Sequence, residues 1–159
     1  MLDALVEASH GPPVTNAANE LCQVALPPLV ARAWAKLAKD VQALDPRGAD
    51  DDWHVARITA KRVRYATDAL VPVFGETAKG FSQALEQVTE ALGEHHDAAI
   101  AAETTRRLAA GRRVTGTTGF VLGLLHEHER AAVMLARGQF LASWPEVSRR
   151  RNRQWLGGR

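Results

Sequence analysis

A chain of 159 residues, 46% of them hydrophobic and with a net charge of only +2, can build the core of one ordinary domain. Its one cysteine, Cys22, excludes a disulfide within the chain and is typical of a reducing compartment. No apolar run approaches the roughly 18 residues of a membrane span and no signal peptide opens the chain, so we expect a cytoplasmic protein with no membrane partner.

The small net charge hides a strong segregation of acidic and basic residues. From Glu76 to Glu103 there are six acids against one base, Lys79. From Thr104 to Arg159 there are eleven arginines against three acids. The sequence therefore predicts a bipolar molecule with distinct acidic and basic regions.

The N-terminal third predicts a linker followed by a helix with a break. Residues 1–13 are interpreted as the tail of a preceding element and a linker, because Gly11-Pro12-Pro13 ends a short amphipathic start. A helical pattern runs from about Val14 to Leu44, and Pro27-Pro28 inside it predicts a kink or a restart. A basic row with spacings of 4 and 3 lies on this helix: Arg32, Lys36 and Lys39.

The stretch from Asp50 to Leu70 predicts a second helix, which opens with three carboxylates that favour a helix N-terminus. At 3.6 residues per turn, one face carries His54, Arg57, Lys61, Arg64 and Tyr65. The opposite face, predicted to meet the core, carries Val55, Thr59, Val63, Ala66 and Leu70. Arg62 lies apart from the basic row. Because like charges on one face repel each other, we expect a polyanion to compensate them.

Two further helices complete the predicted fold. One runs from about Glu76 to Ala110, where Gly93 predicts a close approach by a neighbour, and the next from about Thr118 to Ala142. Trp144-Pro145 either interrupts the last helix or starts a short one, and the tail 149–159 is expected to be frayed and basic. No segment alternates with period 2. The sequence therefore predicts an all-α antiparallel four-helix bundle over residues 14–148.

Three strings of residues together resemble a known family. They are His54-x-x-Arg57-x-x-x-Lys61-Arg62-x-Arg64-Tyr65, Pro72-x-Phe74-Gly75 and Leu92-Gly93-Glu94-His95-His96-Asp97. These strings closely resemble the CHAD domain, the conserved histidine α-helical domain, and the resemblance covers roughly residues 15–148.

The resemblance implies a fold and a function. CHAD domains consist of two four-helix bundles, related by a pseudo-twofold axis, that enclose a basic channel and bind inorganic polyphosphate without catalysis of their own. This chain resembles the second bundle, so the other half of the channel comes either from a second copy in a homodimer or from a missing N-terminal half. The resemblance also implies a CYTH-type triphosphate-processing partner domain and a location at polyphosphate granules.

The chemistry of the basic rows suits this ligand. Arginine grips phosphate oxygens bidentately and lysine supplies an adjustable point charge, while spacings of 3 and 4 place such groups about 5–6 Å apart. Polyphosphate, or phosphate or sulfate as its mimic, is expected to contact His54, Arg57, Lys61, Arg62, Arg64, Tyr65, Arg32, Lys36, Lys39, His95 and His96. Which of the two adjacent histidines faces the ligand stays open.

Other interpretations of the same residues remain. Both rows can be solvated faces, and the acidic third helix can lie beside the second and neutralise it. The arginines after Thr104 allow a nucleic-acid-binding or protein-assembly module that uses the same basic surface. Few aromatic residues accompany the rows, which argues against recognition of single strands.

No catalytic or cofactor-binding motif is visible. The chain lacks a phosphate-binding glycine loop, a serine-hydrolase elbow and an H-E-x-x-H pair. His95 with His96, and His126 with His128, have spacings at which two side chains on one helix diverge, which disfavours a metal site. We therefore expect a protein that is not an enzyme and has no metal and no cofactor.

Overall fold

The computed structural model describes residues 6, 9–11, 14, 16–111 and 114–157, and within these residues every regular element is a helix. The α-helices are α1 (Cys22–Ala25), α2 (Pro27–Gln42), α3 (Asp50–Asp68), α4 (Val71–Phe74), α5 (Glu76–Ala109) and α6 (Gly116–Val147). Two 3₁₀ helices are η1 (Asn16–Asn19) and η2 (Arg150–Leu156). The four long helices α2, α3, α5 and α6 form the predicted all-α bundle, which is confirmed.

Neighbouring elements in the chain are neighbours in the bundle. Helix α2 packs on α3, α3 on α5, and α5 along the length of α6, while η2 contacts α5 and α2. The break predicted at Pro27-Pro28 is present: α1 ends at Ala25 and α2 begins at Pro27. A proline in the first turn of a helix lacks only an amide that would have no partner there, so it starts α2 without loss.

The core is built from aromatic and aliphatic residues of all four long helices. The indole of Trp34 stacks on that of Trp144 with ring centres 5.3 Å apart and meets the edge of Phe81 at 5.5 Å. Phe140 of α6 meets the ring of Trp53 at 5.5 Å. Each buried side chain of this size stabilises the fold by about 1.5–3 kcal/mol.

The buried face of helix α3 matches the predicted core face only in part. Its buried residues recur at spacings of 3 and 4 and include Trp53, Ala56, Ala60 and Val63. Val55, predicted in the core, is exposed instead. The physical reason is that α5 and α6 lie on the side of Trp53, whose large ring buries more apolar area than a valine.

Helix α6 is longer than predicted and passes through Pro145. Thr115 caps its N-terminus by accepting a hydrogen bond of 3.3 Å from the amide of Thr118. Pro145 removes one backbone hydrogen bond near the C-terminal end, but Ser148 still donates to the carbonyl of Trp144 at 2.8 Å. The aromatic packing of Trp144 holds this last turn in place.

The expectation of a frayed tail is wrong for residues 150–156. They form η2, in which Leu156 is buried and the ring of Trp155 lies 4.9 Å from that of Phe74. The guanidinium of Arg153 lies over the ring of Trp34 at 4.7 Å. The apolar pair at positions 155 and 156 supplies enough buried area to hold a segment that is otherwise basic.

Among the described residues, no helix combines the length and apolar character that crossing a bilayer would need.

Candidate functional site

The basic row of α3 lies on the flank of that helix which faces α5. His54, Arg57, Lys61 and Arg64 are all half-buried, whereas Tyr65 is exposed. Their position follows from the helix repeat, because they are displaced by about a third of a turn from the buried face. The predicted shared face is therefore one edge of the groove between two helices.

Helix α5 contributes the other edge through residues at spacings of 3 and 4. Arg64 donates to the carboxylate of Glu86 and, at 3.1 Å, to the hydroxyl of Thr89. His54 stacks on His96 with ring centres 4.5 Å apart and with their Nδ1 atoms 3.1 Å apart. One ring nitrogen of this pair donates a proton to the other, so the two imidazoles share one hydrogen bond.

Carboxylates of α5 and of α3 itself neutralise only one end of the basic row. Glu86 pairs with Arg64, and Asp68 lies 3.9 Å from the same guanidinium. Arg57 and Lys61 have no carboxylate within ion-pair distance among the described residues. The Nε atom of Arg57 is buried and has no hydrogen-bond partner there. The centre of the row thus holds positive charge without compensation.

Gly93 lies on the α5 edge between the contacts that Thr89 and His96 make with α3. The expected close approach at Gly93 is wrong, because a Cβ built there meets no atom within 4 Å. By the helix repeat Gly93 lies level with the stretch of α3 between Arg57 and Lys61. The glycine therefore leaves open space beside the two cations that have no carboxylate partner.

The charges near His96 keep it neutral to lower pH than usual. Partial burial lowers the pKa of His96, and the neighbouring His54 and Arg57 lower it further. Asp97 opposes this shift of the pKa. An anion bound beside these groups would stabilise the imidazolium and draw a proton onto the pair.

His95 lies in the core rather than on this groove, which corrects its expected position as a ligand contact. It is 1% exposed and stacks on Trp53 with ring centres 5.4 Å apart. Its Nε2 atom lies 3.5 Å from Oδ1 of Asp50. Burial and the nearby Arg137 lower the pKa of His95 to about 4 despite that carboxylate. Of the two adjacent histidines, His96 is therefore the one beside the basic row.

A buried ion cluster joins the start of α3 to α6. The carboxylate of Asp50 accepts hydrogen bonds from Arg137 at 2.6 Å and from Arg130 at 2.7 Å. Arg137 also donates to the carbonyls of Pro46 at 2.9 Å and Gly48 at 3.1 Å. Burial lowers the pKa of the Arg137 guanidinium, although Asp50 opposes that shift.

Sequence reasoning missed this cluster. The one available signal was Arg137 itself, a charged residue at a position where the apolar pattern of α6 continues. A cavity of about 460 Å³ lies between the cluster and the basic row, and its lining contains three carboxylates, three histidines and one arginine. It is lined by Asp50, Asp51, His54, His95, His96, Ala99, Ile100, Glu103, Thr104 and Arg107.

The basic row of α2 is exposed and stands apart from the groove. Lys36 pairs with Asp40 on its own helix, and Nε of Arg32 donates to the carbonyl of Pro28 at 3.5 Å. Lys39 is exposed, as is Arg62 of α3. No hydrogen bond or ion pair among the described residues joins these side chains to the row of α3.

No three metal-ligating side chains come together in the described part of the chain. His126 instead has its Nδ1 atom 2.9 Å from the carbonyl of Ala102, which ties α6 to α5. The site consists of cations, imidazoles, the hydroxyl group of Thr89 and the carboxylate of Glu86.

Comparisons with known proteins gave one family match and one similar solved structure. A family model of the CHAD domain matches residues 1–106. Among solved structures, PptA from Streptomyces chartreusis is similar, with a TM-score of 0.71 and 28% sequence identity over 90% of this chain and 52% of that one. The chain thus spans about half the length of PptA. A comparison with curated proteins gave no match. The family model covers well over half of the residues, and the chain therefore belongs to the CHAD domain family.

Proposed function

We propose that the chain binds inorganic polyphosphate in the groove between α3 and α5. The family supports this proposal, because CHAD domains are binding domains that bind polyphosphate in general. The observation that carries it is local: Arg57 and Lys61 lie side by side with no carboxylate partner in the part of the chain that the structure describes, next to the open space at Gly93. We call the set His54, Arg57, Lys61, Arg64 and His96 the basic groove.

The energetics of the empty groove favour an anion. Holding Arg57 and Lys61 half-buried near each other costs free energy through repulsion and partial desolvation. A phosphate chain removes that cost and supplies acceptors for the buried Nε of Arg57. Arg64 already shares its charge with Glu86, so it contributes less until that carboxylate is displaced.

The remaining expected contacts belong to the same proposal at the margins of the groove. Tyr65 follows on from Lys61, whose Nζ lies 5.6 Å from the centre of that ring. Arg62 and the row Arg32, Lys36 and Lys39 are exposed and would meet a long ligand that runs beyond the groove. His95 lies in the core beside Asp50, the first residue of α3, and is not among these contacts.

The wider role follows from the same proposal. We infer a non-catalytic binding module in the cytoplasm, at polyphosphate granules, that works beside a CYTH-type triphosphate-processing domain. The channel of the family needs a second bundle, supplied either by a second copy or by an N-terminal half.

Calorimetry with long-chain polyphosphate tests the groove directly. In Arg57→Gln with Lys61→Gln, affinity should fall about tenfold or more, and its dependence on salt should weaken. The matched control is Arg149→Gln with Arg150→Gln, which makes the same change in net charge on exposed residues outside the groove. Equal losses in the two variants would show a diffuse charge effect and overturn the site, provided that circular dichroism shows both folded.

The same titration separates polyphosphate from nucleic acid. We expect RNA at equal phosphate concentration to leave bound polyphosphate in place, because Tyr65 is the one Phe, Tyr or Trp residue in the basic row of α3. Full displacement by RNA would favour a nucleic-acid-binding module that uses the same basic surface. Binding of neither anion would favour an assembly module.

A further inference from the structure

Helix α6 is apolar on two opposite faces. One face is buried against α5 and the core through Val133, Ala136 and Phe140. The other carries exposed large hydrophobic residues, with Phe120 67%, Leu124 57% and Leu135 65% exposed. A helix that is apolar all round is normally covered on all sides, so the outward face of α6 needs an occupant.

The C-terminal half of the outward face also lacks charge, and the exposed Glu127 borders the N-terminal half. Between Arg130 and Glu146 the single charged residue is Arg137, which is buried in the ion cluster. A solvated helix face normally carries charged side chains, and a polyanion has nothing to bind on this one. The occupant is therefore another apolar protein surface rather than the ligand of the basic groove.

The outward face has a repeat that suits a second helix. Its exposed residues follow one another at spacings of 4 and 3, which is the seam of two helices packed side by side. In chain order they are Phe120, Leu124, His128, Ala131, Leu135, Gly138 and Ala142. The bulky residues Phe120 and Leu124 lie in the N-terminal half, and the small residues Gly138 and Ala142 lie in the C-terminal half.

This gradient of size is self-complementary about Ala131. When a second α6 runs antiparallel across a twofold axis at Ala131, Leu124 meets Gly138 and Phe120 meets Ala142. A Cβ at Gly138 would meet no atom within 4 Å, so the position is an open notch that a leucine of another copy can fill. The same register places Phe120 and Leu124 on small residues of the other copy and sets Leu135 level with Glu127 and His128.

We propose that the outward face of α6 is a homodimer interface, in which two copies pack α6 against α6 antiparallel about Ala131. The proposal rests on α6 alone and does not depend on polyphosphate binding. The face lies opposite the side of α6 that packs on α5 and α3, so the basic groove of each copy stays open.

Sedimentation velocity of the full chain at micromolar concentrations tests the interface. We expect a species of twice the 17.3 kDa chain mass. Leu124→Glu and Leu135→Glu should each weaken dimerisation about tenfold or more, because each places a charge in the seam. Leu29→Glu is the matched control, since Leu29 is 51% exposed on α2, away from this face. A monomer in the wild type, or equal weakening by the control, would overturn the proposal.

Two further variants test the register. Gly138→Leu fills the notch without adding charge, so it should weaken the dimer while leaving the protomer folded. In a Cys22→Ser background, which removes the exposed native thiol, Ala131→Cys should be cross-linked to itself by a short bismaleimide. Ala69→Cys, at the residue that follows α3, is the comparison and should stay uncross-linked. Efficient linking at position 69 but not at position 131 would exclude this interface.

Discussion

Nη2 of Arg137 donates a hydrogen bond of 2.6 Å to Oδ1 of Asp50, and this contact ties the middle of α6 to the first residue of α3. The guanidinium also lies 4.9 Å from the centre of the Trp53 ring. One carboxylate therefore orients the helix that carries the basic groove and anchors the helix that carries the outward apolar face. The ion cluster therefore helps to position both the basic groove and the outward face of α6.

Removing that carboxylate should destabilise the fold strongly. In Asp50→Ala the guanidinium of Arg137 stays buried without its anion, so we expect the free energy of unfolding to fall by about 3 kcal/mol. Urea denaturation measures the loss. Glu103→Ala is the control, because Glu103 pairs with Arg106 on the exposed side of α5 and its removal should have little effect on stability. Equal losses of unfolding free energy in the two variants would show that the Asp50–Arg137 pair contributes no more than an exposed ion pair.

His95 should make stability depend on pH. Its pKa is about 4 in the folded protein against 6.5 for an unperturbed histidine, so only the unfolded chain takes up this proton between those values. The fold should lose up to about 3 kcal/mol from this residue as pH falls from 6.5 to 4, with no further loss from it below that range. In His95→Gln, the slope of unfolding free energy against pH should be shallower there. An unchanged slope would contradict the burial of a neutral imidazole.

The periodicity of the sequence predicted the bounds of single helices better than it predicted how the helices pack against one another. The end of α5 falls within one residue of the prediction, because apolar spacing and the following glycine are local signals. Val55 was predicted in the core but is exposed, while Trp53 is buried, because angular arithmetic on one helix does not say where the neighbouring helices lie.

The candidate site shows the same division. Spacing alone placed His54, Arg57, Lys61 and Arg64 on one face, and the structure keeps them together. It did not separate His95 from His96, because adjacent residues differ by about 100° and only the packing of Trp53 decides which ring turns inward. Nor did it show that Glu86 takes up the charge of Arg64, since that contact is made between two helices.

Releasing Arg64 should strengthen polyanion binding. In Glu86→Gln the guanidinium loses its carboxylate partner and the groove gains net positive charge, so polyphosphate affinity should rise about two- to fivefold. Calorimetry at low salt measures this change. Glu90→Gln makes the same charge change on the exposed side of α5 that borders α6 and should have a smaller effect. An equal rise in both variants would point to overall charge rather than to the groove.

Gly93 should be replaceable without a clash. The space around its missing Cβ is open, so Gly93→Ala should raise the free energy of unfolding by up to about 1 kcal/mol through helix propensity. Gly93→Leu should keep the fold but reduce polyphosphate affinity, because the side chain would project into the space beside Arg57 and Lys61. Thermal unfolding and calorimetry measure the two effects. Destabilisation by alanine would mean that a neighbour does contact this position.

The C-terminal segment should stabilise the bundle despite its basic composition. Leu156 is buried, and the ring of Trp155 lies 4.9 Å from that of Phe74 and 6.5 Å from that of Phe81. Leu156→Ala should therefore lower the free energy of unfolding by about 2 kcal/mol, near the lower end for a buried leucine because η2 is a short segment in which Leu156 is the buried residue. Urea denaturation checks this value, with the exposed Arg150→Ala as control. A loss no larger than that of the control would mean that η2 detaches from the core in solution.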